Sequence, residues 1–461
     1  LLGSALLRSS ILASGLASGL ASAGSLAAAP AVAVVASPSA ARLTPLVVAT
    51  ERTKRAVVNI NAQEIVKGRS GGDFDDFFGR FHQRDEVRTS LGSGFVFDAG
   101  GLVLTNYHVV ARGSRIQVSF DDGQEYPAKV VGTDPGGDLA VLRIEGSRKF
   151  PIAPLGSSED LMLGEPTIAI GNPFGLNQSV SVGVVSALHR TVRADEKHSF
   201  YDFIQTDASI NPGNSGGPLL NADGNVIGVC SAIYANAQGI GFAIPIDRAL
   251  RVARELATKG ELADAWWGFD AEGLDADAAK ALGTKAGAII ASVEERSPAA
   301  AAGLRIGDAI VRVEKTPVHD ADELHFLLRD LPLSLPVKLG LLRNKELVEV
   351  QILAVRLTAE RAQAIFEARS GLSVVELSPK EALAAGYESR KSLIQVKSVE
   401  PGSPAARFGI KRGDLVRSVN SAEVDTQKDF RQALGQARKS GQAVLLVQRG
   451  YRSQEFAFDL G

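Results

Sequence analysis

Three separated stretches hold the residue types that can break an amide bond. Ser215 lies in the run Ile210-Asn211-Pro212-Gly213-Asn214-Ser215-Gly216-Gly217-Pro218. Small residues on both sides let the backbone turn tightly and approach a ligand without Cβ clashes, which can expose a hydroxyl and aim amide N–H groups. Alone, such a run is also an ordinary turn. Upstream, Val103-Leu104-Thr105-Asn106-Tyr107-His108-Val109-Val110 is a β-branched, apolar strand-like run carrying a histidine, and Asp134-Pro135-Gly136-Gly137-Asp138-Leu139-Ala140-Val141-Leu142 delivers an aspartate onto an apolar strand. Serine chemistry needs a hydroxyl, a base that titrates near neutrality, and a carboxylate that fixes the base's tautomer and stabilises its protonated form. His108, Asp138 and Ser215 are therefore the candidate catalytic set.

Other chemistries find less support. His82, His189, His198, His319 and His325 lack the apolar-strand setting of His108. There is no Cys cluster and no His-Glu-x-x-His helix, so no metal is predicted, and no cofactor. The absence of a Gly-x-x-x-x-Gly-Lys-Ser/Thr run disfavours ATP dependence. A formal net charge of -2 without a basic, aromatic-interleaved stripe predicts no nucleic-acid partner. The one cysteine, Cys230, excludes an internal disulfide and reads as a small buried hydrophobe in Val226-Ile227-Gly228-Val229-Cys230.

The elements that must position these residues can be read from the spacing of apolar side chains. At 461 residues the chain is long enough for about three domains. Residues 9–41 carry no charged side chain, follow Arg8 and are rich in Ala, Ser, Leu and Gly; 1–42 is read as an export signal, with a transit peptide, an anchor or a disordered tail as alternatives. Arg55–Ile60 reads as the first strand and Ser93–Phe97 as the next clear one. Between them, roughly 66–88 is polar but holds Phe74, Phe77, Phe78 and Phe81, as a short capping helix or a regulatory segment would. From 93 to 245 short apolar strands alternate with Gly, Pro, Asn and Asp, the pattern of an all-β barrel or sandwich. Asp247–Leu256 has helical spacing with Gly260 as its stop, closing a first domain over 43–260.

The last two hundred or so residues contain an internal repeat. Ser292-Val293-Glu294, Ser297-Pro298-Ala299-Ala300, Gly303, Gly307 and Asp308 recur, at a constant spacing of 106 residues, as Ser398-Val399-Glu400, Ser403-Pro404-Ala405-Ala406, Gly409, Gly413 and Asp414. One spacing shared by so many positions means tandem domains rather than a solenoid.

With these motifs in place, the sequence resembles the HtrA/Deg family of PDZ-containing serine proteases. The resemblance implies a mainly β architecture: a chymotrypsin-like double β-barrel protease domain followed by PDZ domains over 264–357 and 369–461. It implies Gly213 and Ser215 amides as the oxyanion hole. Asn214, standing where digestive relatives have an aspartate, cannot make the ion pair that activates a cleaved zymogen. It places the primary pocket at Ser209, Ile210, Ala232 and Ile233, a shallow apolar site favouring Val, Ala, Ile and Leu before the scissile bond. Charged Asp207 lies outside those positions. In the first PDZ domain Trp266-Trp267-Gly268-Phe269 matches the carboxylate-binding loop, unless the two tryptophans are core residues. In the second, Gly371-Leu372-Ser373-Val374 matches, with Ser373 in the place of a glycine. Asp320–Asp330, with Leu324, Leu327 and Leu328 on one face, is the expected groove helix. The implied protein is an exported, periplasmic or envelope endopeptidase degrading unfolded or misfolded proteins. It would capture C-terminal peptides at the PDZ domains and assemble as a homotrimer or multiples of it. The alternative is a chaperone or peptide-binding scaffold on an idle protease fold.

Overall fold

The computed structural model describes residues 39–66, 86–171, 179–193, 199–211, 213–231, 239–333, 335–387, 390–439 and 441–460. Most of the expected export signal, most of the phenylalanine-rich segment, His82, His198, Ala232 and Ile233 therefore lie outside the described residues. Of the unit spanning 1–43, a 3-10 turn over Ala40–Arg42 is described; residues 44–461 form a second unit.

Helix α1 (Pro45–Thr53) starts from a Thr44 cap with proline in its first turn. The next strands are β1 (Val57–Val66), β2 (Glu86–Asp98), β3 (Leu102–Thr105), β4 (Arg115–Ser119), β5 (Glu125–Asp134) and β6 (Leu139–Ile144). They close into a barrel in the order β1-β2-β3-β6-β5-β4. β1 begins later than Arg55 because Lys54–Ala56 form a 3-10 turn. β2 begins at Glu86 rather than Ser93, since it pairs with β1 along its whole first part, from Val66↔Glu86 to Val57↔Phe95. Among Glu86–Gly92 only Val87 and Leu91 are large and apolar, too sparse for alternation to mark a strand.

The second barrel comprises β7 (Pro166–Gly171), β8 (Ser179–Arg193), β9 (Ser199–Thr206), β10 (Pro218–Leu220), β11 (Val226–Ser231) and β12 (Gly241–Pro245), in the order β10-β11-β12-β9-β8-β7. A one-turn helix α2 (Tyr107–Val110) follows β3. Helix α3 (Ile246–Lys259) then buries Ile246, Ala249, Leu250, Val252, Ala253 and Leu256 against both barrels, touching β5, β6, β11 and β12. It stops at Gly260, whose φ of 78° is the left-handed cap that glycine adopts at little cost.

Two five-strand sheets follow, each with one short strand paired at its side. The first pairs β14 (Phe269–Gly273), β15 (Ala288–Val293), β16 (Ala309–Val313), β18 (Val337–Arg343) and β19 (Glu346–Ile352) in that order, β17 (Thr316–Pro317) joining β16. Beside it β13 (Ala265–Trp266) pairs with β20 (Val355–Arg356). Its helices are α4 (Ala276–Leu282), α5 (Pro298–Ala301) and α6 (Ala321–Arg329), the last capped by Asp320 and burying Leu324, Leu327 and Leu328 as expected. Helix α7 (Ala359–Ser370), in the interval left between the two expected domains, leads into the second sheet.

That sheet pairs β21 (Leu372–Leu377), β22 (Leu393–Val399), β23 (Leu415–Val419), β25 (Gln442–Arg449) and β26 (Arg452–Asp459), with β24 (Ala422–Glu423) joining β23. Helices α8 (Pro379–Ala384), α9 (Pro404–Arg407) and α10 (Gln427–Lys439) complete it. The repeat also holds an ion pair. Arg343 grips Asp308 at 2.7 and 2.6 Å and Gly303 O at 2.8 Å; Arg449 grips Asp414 at 2.6 Å twice and Gly409 O at 2.8 Å. Sequence reading found the aspartates but missed the arginines, which recur at the same 106-residue spacing.

Candidate active site

His108 stands on α2, not on a strand as the apolar run suggested. The chain leaves β3 at Thr105, whose hydroxyl donates to Ser93 O at 2.7 Å, and turns at buried Asn106, whose amide donates to Asp138 O at 2.9 Å. Val109 and Val110 anchor the turn in the first barrel, leaving the imidazole about half exposed.

Asp138 follows β5 through the 3-10 turn Pro135–Gly137 and takes φ 54°, ψ 43°, a left-handed conformation uncommon for a residue with a Cβ. Its carboxylate is buried and fully engaged. Nδ1 of His108 lies 2.9 Å from both oxygens, the His108 backbone N–H donates at 3.1 Å, and the Ser231 hydroxyl donates to Oδ2 at 3.1 Å. These contacts hold the ring with Nδ1 toward the carboxylate, which leaves Nε2 as the nitrogen free to exchange a proton.

Ser215 is only 4% exposed. Its carbonyl accepts from Ser93 N at 2.8 Å, and the Gly213 carbonyl accepts from Ser93 Oγ at 2.6 Å, so β2 fixes the serine loop from across the barrel boundary. Gly216 N donates to Cys230 O and Cys230 N to Gly217 O, both at 2.8 Å. Gly216 has φ 83°, and a Cβ there would overlap Ser93 O and the Thr105 hydroxyl; this approach requires glycine. Among the described residues the Gly213 and Ser215 amides donate to no acceptor, and no hydrogen bond joins Ser215 Oγ to His108, a contact that can tighten in a substrate complex. Asn214 donates from Nδ2 to Ser209 O at 3.3 Å. Burial pushes the Cys230 thiol up to about 12, leaving it a protonated core group.

Of the pocket positions, Ser209 is exposed and Ile210 partly buried beside Gly241, while Ala232 and Ile233 are outside the described residues. Asp207 accepts from Val184 N at 2.7 Å. Sequence reading passed over a second His–Asp contact, His189 Nδ1 to Asp202 Oδ1 at 2.7 Å, with both residues at positive φ. The Asp202 hydrogen bond raises the His189 pKa.

The two PDZ-like loops differ from the sequence reading in register. Gly268 (φ 80°) accepts from Glu294 N at 2.9 Å, and a Cβ there would overlap Ser297; Gly371 (φ 67°) accepts from Glu400 N at 2.8 Å, and a Cβ there would overlap Ser403. Since Glu294 and Ser297 are the repeat partners of Glu400 and Ser403, Gly371 stands where Gly268 stands. The second loop is thus Arg369-Ser370-Gly371-Leu372. Ser373 replaces no glycine: it lies in β21 opposite Ser398, their hydroxyls 2.6 Å apart, and Val374 packs in the core. The expected match failed because the second copy has three more residues between this glycine and Ser-Val-Glu, so the constant spacing does not extend back to the loop.

Trp266 and Trp267 are both buried. Trp266 pairs through β13, donates from Nε1 to Glu294 at 3.4 Å and lies 3.9 Å beneath the Arg361 guanidinium; Trp267 joins the domain core. What the first loop offers a ligand is backbone. Among the described residues the Trp267 and Gly268 amides donate to no acceptor, and Phe269 opens β14, the edge strand beside α6. In the second loop, Gly371 N caps α7 at Glu367 O (2.9 Å) and Leu372 N donates to Ser370 Oγ (3.1 Å).

Comparison with known proteins agrees with this organisation. Residues 92–229 match the trypsin-like peptidase domain, and 268–353 and 395–449 each match a PDZ domain. A probable periplasmic serine endoprotease, DegP-like, of Chlamydia muridarum is 39% identical over 392 residues, covering 81% of this chain and 77% of the relative. One of Pseudomonas putida, of the same description, is 37% identical over 396 residues, covering 82% and 80%. A solved structure described as HtrA-type protease AlgW with decapeptide is 36% identical, covers 67% of this chain and 98% of that one, and superposes with a TM-score of 0.49.

Proposed function

Because the chain belongs to the HtrA/Deg family of PDZ-containing periplasmic serine endoproteases and is itself a serine endopeptidase, we propose that it degrades unfolded or misfolded envelope proteins without ATP, using Ser215, His108 and Asp138. The observation that carries this reading is the Asp138 carboxylate, buried, held by Ser231 and the His108 amide, and 2.9 Å from Nδ1 of His108.

In this reading Ser215 Oγ attacks the substrate carbonyl carbon as its proton passes to Nε2 of His108. The imidazolium is stabilised by Asp138, and the developing oxyanion accepts from the Gly213 and Ser215 amides. One such donor is typically worth about 2.7–4 kcal/mol of transition-state stabilisation. Collapse breaks the C–N bond, His108 returns its proton to the leaving amine, and water repeats the sequence on the acyl-enzyme. The first PDZ domain captures free chain ends by adding them as a strand along β14, with the carboxylate on the loop amides. Assembly as a homotrimer or its multiples is carried over from the family.

Incubating the purified chain with reduced, unfolded casein in the absence of ATP tests this. Degradation that is absent in Ser215→Ala is expected, with cuts after Val, Ala, Ile and Leu outnumbering those after Lys and Arg. Binding of casein without cleavage would instead make the chain a scaffold, and a majority of cuts after Lys and Arg would overturn the pocket at Ser209, Ile210, Ala232 and Ile233.

A further inference from the structure

Helix α6 ends against the turn that carries Asp138. The Asp330 carboxylate, with a side chain only 2% exposed, receives Arg248 Nε from α3 at 2.7 Å and Arg329 Nε at 2.8 Å. Arg329 Nη2 continues to Asp134 Oδ2 at 3.1 Å. Phe326 lies beneath both guanidiniums, 4.2 Å from that of Arg248 and 5.1 Å from that of Arg329. Two cations and two anions are thus packed together, all but Arg329 nearly removed from water, an arrangement tolerated when each charge is paired. Against burial, which alone would raise it, the two arginines hold the Asp330 carboxyl below its usual range; burial and then Asp330 raise that of Asp134.

Asp134 is the residue from which the turn Pro135–Gly137 departs, and Asp138 is the residue to which it delivers the chain. The arginines fill the space against this turn. A Cβ on Gly136 would overlap Arg329, and one on Gly137 would come within 2.8 Å of Arg329 Nη2 and 2.9 Å of Arg248 Nη2. A left-handed, Cβ-bearing residue such as Asp138 is strained and persists only where its surroundings over-determine it.

We propose that Arg329 and Asp330, both from the first PDZ domain, are positioning residues for Asp138: with Arg248 they lock the turn in the conformation that aims the carboxylate at His108. The inference rests on the catalytic assignment proposed above. It makes the protease domain's third catalytic group dependent on a helix that belongs to another domain; the matching helix of the second PDZ domain, α10, packs against α7.

The test compares the full chain with Arg329→Gln, Asp330→Asn, Arg329→Lys and, as a control for simple loss of PDZ stability, Arg343→Gln. Against unfolded casein, Arg329→Gln and Asp330→Asn should lower kcat by about tenfold to a hundredfold with KM unchanged. Arg329→Lys should recover a substantial part of that loss, and Arg343→Gln should leave kcat intact. The low-field proton signal of the His108–Asp138 hydrogen bond should weaken in the first two variants only. Should Asp330→Asn fail to fold, Arg329→Gln decides, because its side chain is 35% exposed and its removal strands less charge. Unchanged kcat in Arg329→Gln, or a rise in KM alone, overturns the proposal. Asp138→Asn run in parallel separates the two failures: if it too keeps full kcat, the catalytic assignment falls, whereas if it alone loses kcat, only the positioning role falls.

Discussion

The two C-terminal domains have the same strand order, the same Ser-capped turn before α5 and α9, and the same Arg–Asp pair, yet they treat one glycine amide in opposite ways. In the first, a short β13 leads into the loop and Gly268 N–H is left for a ligand. In the second, α7 runs up to the loop and takes the Gly371 N–H as its own C-cap, while Ser370 takes the next amide. The flanking helices diverge as well: α6 lies against the protease domain through Arg248 and Asp134, and α10 lies against α7. A shared fold therefore fixes where a peptide could add, but the element entering the loop decides whether the amides are available.

The largest effect expected from this comparison concerns the shared ion pair. Asp308 and Asp414 have side chains only 2% and 3% exposed, but Arg343 is 21% exposed and Arg449 54%. Removing a partner from a buried pair costs about 3–5 kcal/mol, so Arg343→Gln should destabilise its domain by that much. Arg449→Gln should cost less, about 1–3 kcal/mol, because water already reaches its guanidinium. Hydrogen exchange read separately on β16 and β23 measures both; equal losses would remove this asymmetry.

A smaller and more specific effect separates the loops. In the full chain carrying Ser215→Ala, Gly268→Ala should weaken binding of a peptide with a free apolar C-terminus by at least about tenfold, or ~1.4 kcal/mol. Gly371→Ala should leave that affinity unchanged, although it strains its own domain. Calorimetric titration that gives equal losses, or a loss only in the second variant, would break the comparison.

Much of this was legible in the sequence, for physical reasons that differ by region. His108, Asp138 and Ser215 could be picked out because serine chemistry requires three residue types, and each sits in a distinctive local run. Helices α3 and α6 announced themselves through apolar periodicity, the first with a Gly260 stop as well. The early half of β2 and the helical setting of His108 did not, because pairing to β1 and the burial of consecutive Val109 and Val110 are tertiary effects. The register of the second PDZ loop was misread because three extra residues broke the repeat just where it mattered. The network linking Arg248, Arg329, Asp330 and Asp134 joins residues up to 196 positions apart, and no local pattern marks it.

In the proposed mechanism Ser215 is a nucleophile activated by His108 under the orientation of Asp138. Mass-spectrometric location of a fluorophosphonate adduct, with its rate of formation in the wild-type chain and in Asp138→Asn, tests that claim most directly. A single adduct on Ser215 is expected, with a rate about 10³–10⁴ lower in the variant, the penalty when the base loses its orienting carboxylate. An adduct on another residue, no adduct even with unfolded substrate present, or an undiminished rate in Asp138→Asn would contradict it.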